Sequence, residues 1–198
     1  EIVSRDWSSD VCSSDLVDYA VADGERLPNN LVALKFREEH GSFLVGALAA
    51  LVGGSKKVGF VGGMDIPLIH KFEAGYRAGV RHVCPDCEVV VQYAGTTPDA
   101  FANPKRGAEL ATSQYEQGVN VIYHASGSTG LGVFEAARKL NQQAGGARKL
   151  AIGVDSDQQS SAPGIVLSSM VKRVDNAVFD SIQRVRDHKF QGGLVQFG

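Results

Sequence analysis

The chain has 198 residues, of which 43% are hydrophobic and 21% charged, and its formal net charge at pH 7 is −2. This composition is typical of a globular protein with a sizeable core, and it excludes collagen-like, disordered and disulfide-scaffold classes. The near-zero charge argues against a nucleic-acid partner, and no apolar run reaches the roughly 18 residues of a membrane span.

The first sixteen residues differ in composition and apolar pattern from the rest of the chain. They contain the only tryptophan, Trp7, and one of three cysteines, Cys12, and they show no apolar periodicity. They also lack the basic start, apolar core and cleavage site of a secretory signal. The string Asp6–Leu16 resembles the translation of a sequencing-adapter oligonucleotide, and an ordinary tail is the alternative. We therefore expect residues 1–16 to be non-native and without function.

From Val17 onward, short apolar strands alternate with amphipathic helices. The predicted strands are Val17–Ala22, Leu31–Phe36, Lys57–Gly63, Glu88–Tyr93, Val119–His124, Leu150–Asp155 and Ile165–Ser169. Four of them start about 30 residues apart, which is the length of one strand–helix–strand unit. Continuous apolar strands joined in this way predict a parallel α/β sheet with helices on both faces.

The helices are predicted from apolar residues at a 3.6-residue period. The first is expected to begin at a Ser42 cap and to run to Val52. Three more are expected to bury the following faces: Ile69, Phe72, Tyr76, Val80 and Val83; Ala108, Ala111, Thr112 and Tyr115; Val133, Phe134, Ala137 and Leu140. The last, about Val174–Asp187, has an apolar face of Val174, Val178, Ile182 and Val185. The strand-like Leu194–Phe197 then ends the chain, and we expect truncation there.

Small and polar residues follow the strands, where open α/β sheets bind ligands. Asp155 and Asp157 are typical acceptors for the vicinal hydroxyls of a sugar, and turn capping is an equally weighted alternative. The sequence lacks a dinucleotide fingerprint, a phosphate-binding loop and a nucleophile motif. The five histidines have no metal-ligand spacing. These patterns predict no cofactor, no metal site and no enzymatic activity.

Cys84-Pro85-Asp86-Cys87 is a single C-x-x-C motif in a helix-to-strand loop. One such pair is weak support for zinc. A short-loop disulfide and two uninvolved thiols remain equal alternatives.

Several long motifs resemble the basic membrane protein family of ABC-transporter substrate-binding lipoproteins, related to purine nucleoside receptors. They are FREEHGSFLVG (36–46), KVGFVGGMDIPLIHKFEAGYRAG (57–79), YHASGSTGLGVFEA (123–136), IGVDSDQ (152–158) and LSSMVKRVD (167–175). The resemblance covers the chain from about Val17. It implies a periplasmic-binding-protein type I fold, with two doubly wound lobes and a ligand in the cleft between them.

On that template, residues 57–157 form a complete second lobe. Residues 17–56 form part of the first lobe and hinge, and residues 158–198 return through the hinge into the truncated first lobe. The absent part of that lobe would carry the signal peptide and lipidated cysteine. The resemblance thus implies a monomer anchored at the periplasm or cell surface that delivers a nucleoside to a permease and ATPase complex.

The resemblance also implies a set of ligand contacts. Tyr123 is expected to stack on the base, Asp155 to bind the ribose hydroxyls, and Lys172 to be the cationic partner. Residues expected to line the cleft are Met64, Asp65, Ser126 and Gly127. An effector-sensing domain of a transcriptional regulator is the alternative function, followed by an enzyme on the same fold.

Overall fold

The computed structural model describes residues 30–143 and 146–198. Within these ranges the elements are β1 (Val32–Phe36), α1 (Glu38–Val52), β2 (Lys57–Met64), α2 (Pro67–Val83), β3 (Glu88–Gly95), α3 (Pro104–Glu116), β4 (Val121–Ala125), α4 (Gly130–Asn141), β5 (Leu150–Asp155), β6 (Val166–Val171), α5 (Val174–Arg186) and β7 (Gly193–Phe197). The predicted strand Val17–Ala22 and the tail 1–16 lie outside the described residues. The other predicted elements are confirmed, with ends displaced by at most four residues.

The described chain divides into two compact units. Of the described residues, one unit comprises Glu38–Val171, and the other comprises residues 30–37 together with Lys172–Gly198. These divisions differ from the predicted boundaries at residues 57 and 157, because α1 packs on α2 and β6 pairs with β5. The assignment of ranges to the two lobes of a complete binding protein stays a prediction.

The larger unit contains a five-stranded parallel sheet in the order β3-β2-β4-β5-β6. Helices α1 and α2 cover one face, where the rings of Phe60 and Tyr76 lie 6.1 Å apart. Helices α3 and α4 cover the other, where Val61 and Ile122 join one buried cluster with Val133. Both faces of the central strands are therefore buried, as their continuous apolar sequences predict.

Glycines set the close packing of each helix pair. A Cβ atom on Gly79 of α2 would lie 1.9 Å from the carbonyl oxygen of Phe43 in α1. A Cβ atom on Gly132 of α4 would lie 1.8 Å from the carbonyl oxygen of Pro104 in α3. Neither backbone contact leaves room for a side chain, so these two positions require glycine.

The start predicted for α1 is wrong. The helix begins at Glu38, with Glu38 and Glu39 in its first turn, where the helix dipole interacts favourably with carboxylates. Ser42 lies inside the helix and is fully buried, and its hydroxyl is 3.2 Å from the hydroxyl of Tyr123. Within the described ranges, no helix combines the length and the apolar character needed to cross a bilayer.

The smaller unit contains β1 and β7 as a parallel pair, with the rings of Phe36 and Phe197 stacked 5.6 Å apart. The terminal segment predicted as a strand is thus confirmed as β7. Helix α5 is amphipathic as predicted, but much of its apolar face is exposed, since Ile182 and Val185 are 60% and 57% accessible. Its buried residue is Ala177.

Candidate ligand site at the carboxyl edge of the sheet

The strand order creates a switch point in the sheet of the larger unit. From β2 the chain passes to β3 on one side, and from β3 it returns to β4 on the other side of β2. The connections after β2 and β4 therefore leave the sheet in different directions, and the carboxyl ends of two such strands are where open α/β sheets bind ligands. Gly62 and Ala125 are paired in register just before these ends. Met64, Asp65, Ser126 and Gly127 follow them, so the structure brings these predicted residues to one edge.

The β2 end presents one carboxylate to solvent. Met64 is half-buried, and Asp65 has a side chain that is 55% exposed. The Oδ1 atom of Asp65 lies 2.7 Å from Nε2 of His70 in the first turn of α2. Sequence reasoning missed His70, since it tested the histidines only for metal-ligand spacing. The five-residue separation of Asp65 and His70 across the start of a helix was the available signal.

The β4 end presents backbone rather than a hydroxyl. Gly127 adopts a left-handed conformation with φ +55°, which favours glycine. Ser126 is fully buried, and its Oγ atom lies 3.4 Å from Nδ1 of His124. The expectation that the Ser126 hydroxyl lines the cleft is therefore not supported, because that hydroxyl points into the protein.

A hydrogen bond of His124 connects the end of β4 to the loop after β5. Its Nε2 atom lies 2.9 Å from Oε1 of Gln158, and the same oxygen accepts the backbone N–H of Val154 at 2.9 Å. Because an amide oxygen only accepts, Nε2 carries the proton, and Nδ1 accepts from Ser126. Burial lowers the pKa of His124 to about 4, and the hydrogen bond to Gln158 opposes this only in part. The imidazole is therefore neutral at physiological pH.

The two aspartates at the carboxyl end of β5 have different local roles. Asp157 accepts the backbone N–H of Gln159 at 3.0 Å, so it caps a turn. Asp155 is exposed and has a φ of +65°, a conformation that costs a residue with a side chain roughly 1–2 kcal/mol. Such strain is found mainly where function fixes the backbone. The geometry therefore favours Asp155 over Asp157 as a ligand contact.

Tyr123 lies in the core, and the stacking role predicted for it is not supported. The side chain is fully buried, and its ring lies 5.6 Å from that of Phe60 and 5.3 Å from that of Tyr76. Tyr123 is the third residue of the five-residue strand β4, and its hydroxyl forms a hydrogen bond with the hydroxyl of Ser42 in α1. A ring enclosed by two helices and a sheet has no free face for a base.

Lys172 belongs to the smaller unit. Its Nζ atom lies over the ring of Phe36, 5.0 Å from the centroid, in a cation–π contact. Lys172 is half-buried, whereas the neighbouring Arg173 is exposed and pairs with Asp175 at 2.9 Å. Its role as the cationic partner of a ligand stays a prediction.

Cys84 and Cys87 form a disulfide, with their sulfur atoms 2.01 Å apart. This decides between the two alternatives that the sequence left open. The bond lies between α2 and β3, at the edge of the sheet opposite the strand carboxyl ends. Among the residues that the structure describes, no histidines, cysteines or carboxylates assemble into a metal-binding group.

Comparison with protein families gives one match along most of the chain. The family model Bmp, described as "ABC transporter substrate-binding protein PnrA-like", matches residues 6–198. The match begins inside the predicted tail, whose adapter origin stays a prediction and which lies outside the described residues.

The chain is also similar to curated proteins of several bacteria. It is 38% identical to a CD4+ T-cell-stimulating antigen of Listeria monocytogenes, over 92% of this chain and 52% of that protein. It is 35% identical to basic membrane protein A of Borreliella burgdorferi, over 91% of this chain and 52% of that protein. The chain thus spans about half the length of the curated relatives that it matches.

Solved structures of similar fold include ABC-transporter solute-binding proteins. The one from Aeropyrum pernix K1 is 32% identical, with a TM-score of 0.78 over 88% of this chain and 49% of that one. A transcriptional activator of the comK gene from Bacillus halodurans is 22% identical, with a TM-score of 0.72 over 87% of this chain and 56% of that one. The second likeness concerns the fold alone. The predicted periplasmic-binding-protein type I fold class is confirmed.

Proposed function

The chain belongs to the Bmp family of PnrA-like ABC transporter substrate-binding proteins, and from this premise we propose that it binds a nucleoside for uptake. Purine nucleosides are the first candidates. In the proposal, the protein does not turn over its ligand but delivers it to a permease that an ATPase drives. It acts as a monomer, and a lipid anchor holds it outside the cytoplasm.

The observation that carries the proposal is a pair of exposed carboxylates, Asp65 and Asp155, at the carboxyl edge of one sheet. Ribose presents vicinal hydroxyls, which are donors that suit carboxylate oxygens. A hydrogen bond to a charged group contributes about 1.5–3 kcal/mol. The strained backbone at Asp155 and the left-handed Gly127 shape this edge for close approach of a small ligand.

The disulfide supports the proposed location. Disulfides persist in oxidising compartments such as the periplasm and the cell surface, and they are rare in the cytosol. The Cys84–Cys87 bond is therefore consistent with a protein that works outside the cytoplasm.

Calorimetric titration of the 198-residue chain with inosine, adenosine and guanosine tests the proposal, with free ribose as a reference ligand. We expect heats of binding for at least one nucleoside. Asp155→Asn should weaken that binding by about tenfold to a hundredfold, because it removes a charged acceptor. Asp157→Asn is the matched control, since this neighbouring carboxylate caps a turn, and its affinity should equal that of wild type.

Two results would overturn the proposal. Heats no different from those of buffer for all three nucleosides would remove the ligand class. Equal affinities of wild type and Asp155→Asn would remove the assigned carboxylate.

A further inference from the structure

A chain of hydrogen bonds lies beside the candidate site, at the carboxyl ends of β2 and β3. His70 connects Asp65, whose Oδ1 is 2.7 Å from Nε2, to Tyr93, whose hydroxyl is 3.3 Å from Nδ1. Tyr93 in turn donates to Oε2 of Glu73 at 2.5 Å. Arg77 donates from Nε to the other oxygen of Glu73 at 2.6 Å. The network thus runs from the partly buried Glu73 and Arg77 of α2 to the exposed Asp65.

The direction of each hydrogen bond follows from the donors and acceptors present. Burial alone would raise the pKa of Glu73, but hydrogen bonds from Tyr93 and Arg77 outweigh it and hold that pKa below its usual range. The Glu73 carboxylate is therefore ionised and accepts the single hydroxyl proton of Tyr93. The Tyr93 oxygen must then accept from His70 Nδ1.

The other ring nitrogen is fixed in the same way. The Asp65 carboxylate only accepts, so His70 Nε2 donates to it. A ring that donates from both nitrogens carries two protons and a positive charge. The hydrogen-bond pattern therefore corresponds to an imidazolium at His70.

We propose that His70 is a positioning residue for ligand binding, which as an imidazolium holds the Asp65 carboxylate at the carboxyl ends of β2 and β4. This inference rests on the proposed function, in which Asp65 contacts the ligand. A ring that has lost one proton can donate to Asp65 or to Tyr93 but not to both. Loss of the proton therefore breaks one of the two hydrogen bonds of His70, and Asp65 is no longer connected through the ring to Tyr93 and Glu73.

The effect on affinity is modest because the pair is partly solvated. The side chains of His70 and Asp65 are 52% and 55% exposed. An exposed ion pair contributes a free energy that corresponds to about a twofold to fivefold change in affinity. Because the ring donates to both partners only while both of its nitrogens carry a proton, affinity should fall by this factor as the pH rises and one proton is lost.

Proton linkage gives a second signature. The charged and titratable groups that face the His70 ring are Asp65 from the β2 end, Tyr93 from β3 and Glu73 from α2, with Arg77 behind Glu73. If the imidazolium favours binding, then binding must in turn favour proton uptake. A residue with a purely structural role in α2 would not produce that uptake.

The affinity test is a calorimetric titration of the full chain with inosine across about pH 5 to 8, in two buffers of different ionisation enthalpy. Wild type should show net proton uptake and a twofold to fivefold loss of affinity with rising pH. His70→Gln should bind weakly at every pH and without proton uptake. His70→Arg, a permanent cation, should restore affinity and abolish the pH dependence. His40→Gln, at an exposed position on α1, should retain the wild-type profile.

A ligand-free measurement separates this inference from the proposed function. Long-range ¹H–¹⁵N spectra report the protonation of each histidine ring nitrogen, and the His70 signals are those lost in His70→Gln. Asp65→Asn and Tyr93→Phe should each make His70 lose its second proton at lower pH, while the His40 signals stay unchanged. If inosine does not bind, the proposed function fails, and these spectra alone decide the network.

Two outcomes overturn the inference. One is a His70 titration that neither Asp65→Asn nor Tyr93→Phe alters. The other is inosine binding with the same pH profile in wild type and His70→Gln.

Discussion

Acid should destabilise the larger unit through His124, which is fully buried between β4 and α4. Burial lowers its pKa from 6.5 to about 4. Above pH 6.5 the imidazole is neutral in both the folded and the unfolded chain, so it does not change the free energy of unfolding. As the pH falls from there to about 4, the unfolded chain binds a proton that the folded chain excludes. Unfolding therefore becomes more favourable with acid in this interval.

The difference between these two pKa values fixes the size of the effect. Each unit of pKa difference corresponds to about 1.4 kcal/mol, so the free energy of unfolding should fall by roughly 3 kcal/mol across the interval. This is a large part of the about 5–15 kcal/mol that a typical domain has. The effect arises from the cost of burying a charge beside the Phe134 ring, whose centroid lies 5.2 Å from that of the imidazole.

Urea unfolding followed by far-UV circular dichroism measures the effect at several values from about pH 7.5 to 4.5. Carboxylates also titrate in this range, so the informative quantity is the difference between wild type and His124→Gln. That difference should shrink by about 3 kcal/mol as the pH falls, because only wild type pays the cost of protonation. The exposed control His40→Gln should follow wild type throughout. A difference between wild type and His124→Gln that is constant with pH would refute the reasoning.

Three further predictions concern the stability of the larger unit. Gly132→Ala should lower the free energy of unfolding by about 1–3 kcal/mol, because its Cβ atom would overlap a backbone carbonyl. The control Gly146→Ala, with open space around it, should change this free energy by less than about 0.5 kcal/mol. Equal urea midpoints for the two variants would contradict this prediction. Replacing both Cys84 and Cys87 by serine should cost about 2 kcal/mol, since the disulfide closes a short loop, and a melting temperature unaffected by reductant would argue against it. Tyr123→Phe should lose about 1 kcal/mol in urea unfolding through the broken hydrogen bond to Ser42, and an unchanged midpoint would show that the bond does not contribute.

Much of the fold followed from local pattern. The β-branched runs 57–63 and 150–155 form strands where they were predicted, and the period of Ile69, Phe72, Tyr76 and Val80 gives the buried face of α2. Strand periodicity also placed Asp65 and Asp155 at strand ends. Because parallel strands share a carboxyl edge, these positions predict a ligand site at that edge.

The roles of individual residues depended on contacts that are distant in sequence. Tyr123 and Ser42 are 81 residues apart, and their contact moves the aromatic ring from the predicted site into the core. The proposed role of His70 depends on its contact with Tyr93, which is 23 residues away on β3. The partition of the described chain into two units likewise depends on α1–α2 and β5–β6 packing, which joins elements distant in sequence.

The apolar-rich composition and the strand–helix repeat by themselves determined a parallel α/β protein, and they predicted a ligand site at the strand ends. Only the tertiary structure decided which side chains reach that edge of the sheet. Ser126 and Tyr123 are buried, Asp155 is exposed at a positive φ, and a hydrogen-bond chain reaches Asp65 through His70. Periodicity reports which face of an element is apolar, whereas the partner that each face meets is fixed by long-range packing, which no local pattern encodes.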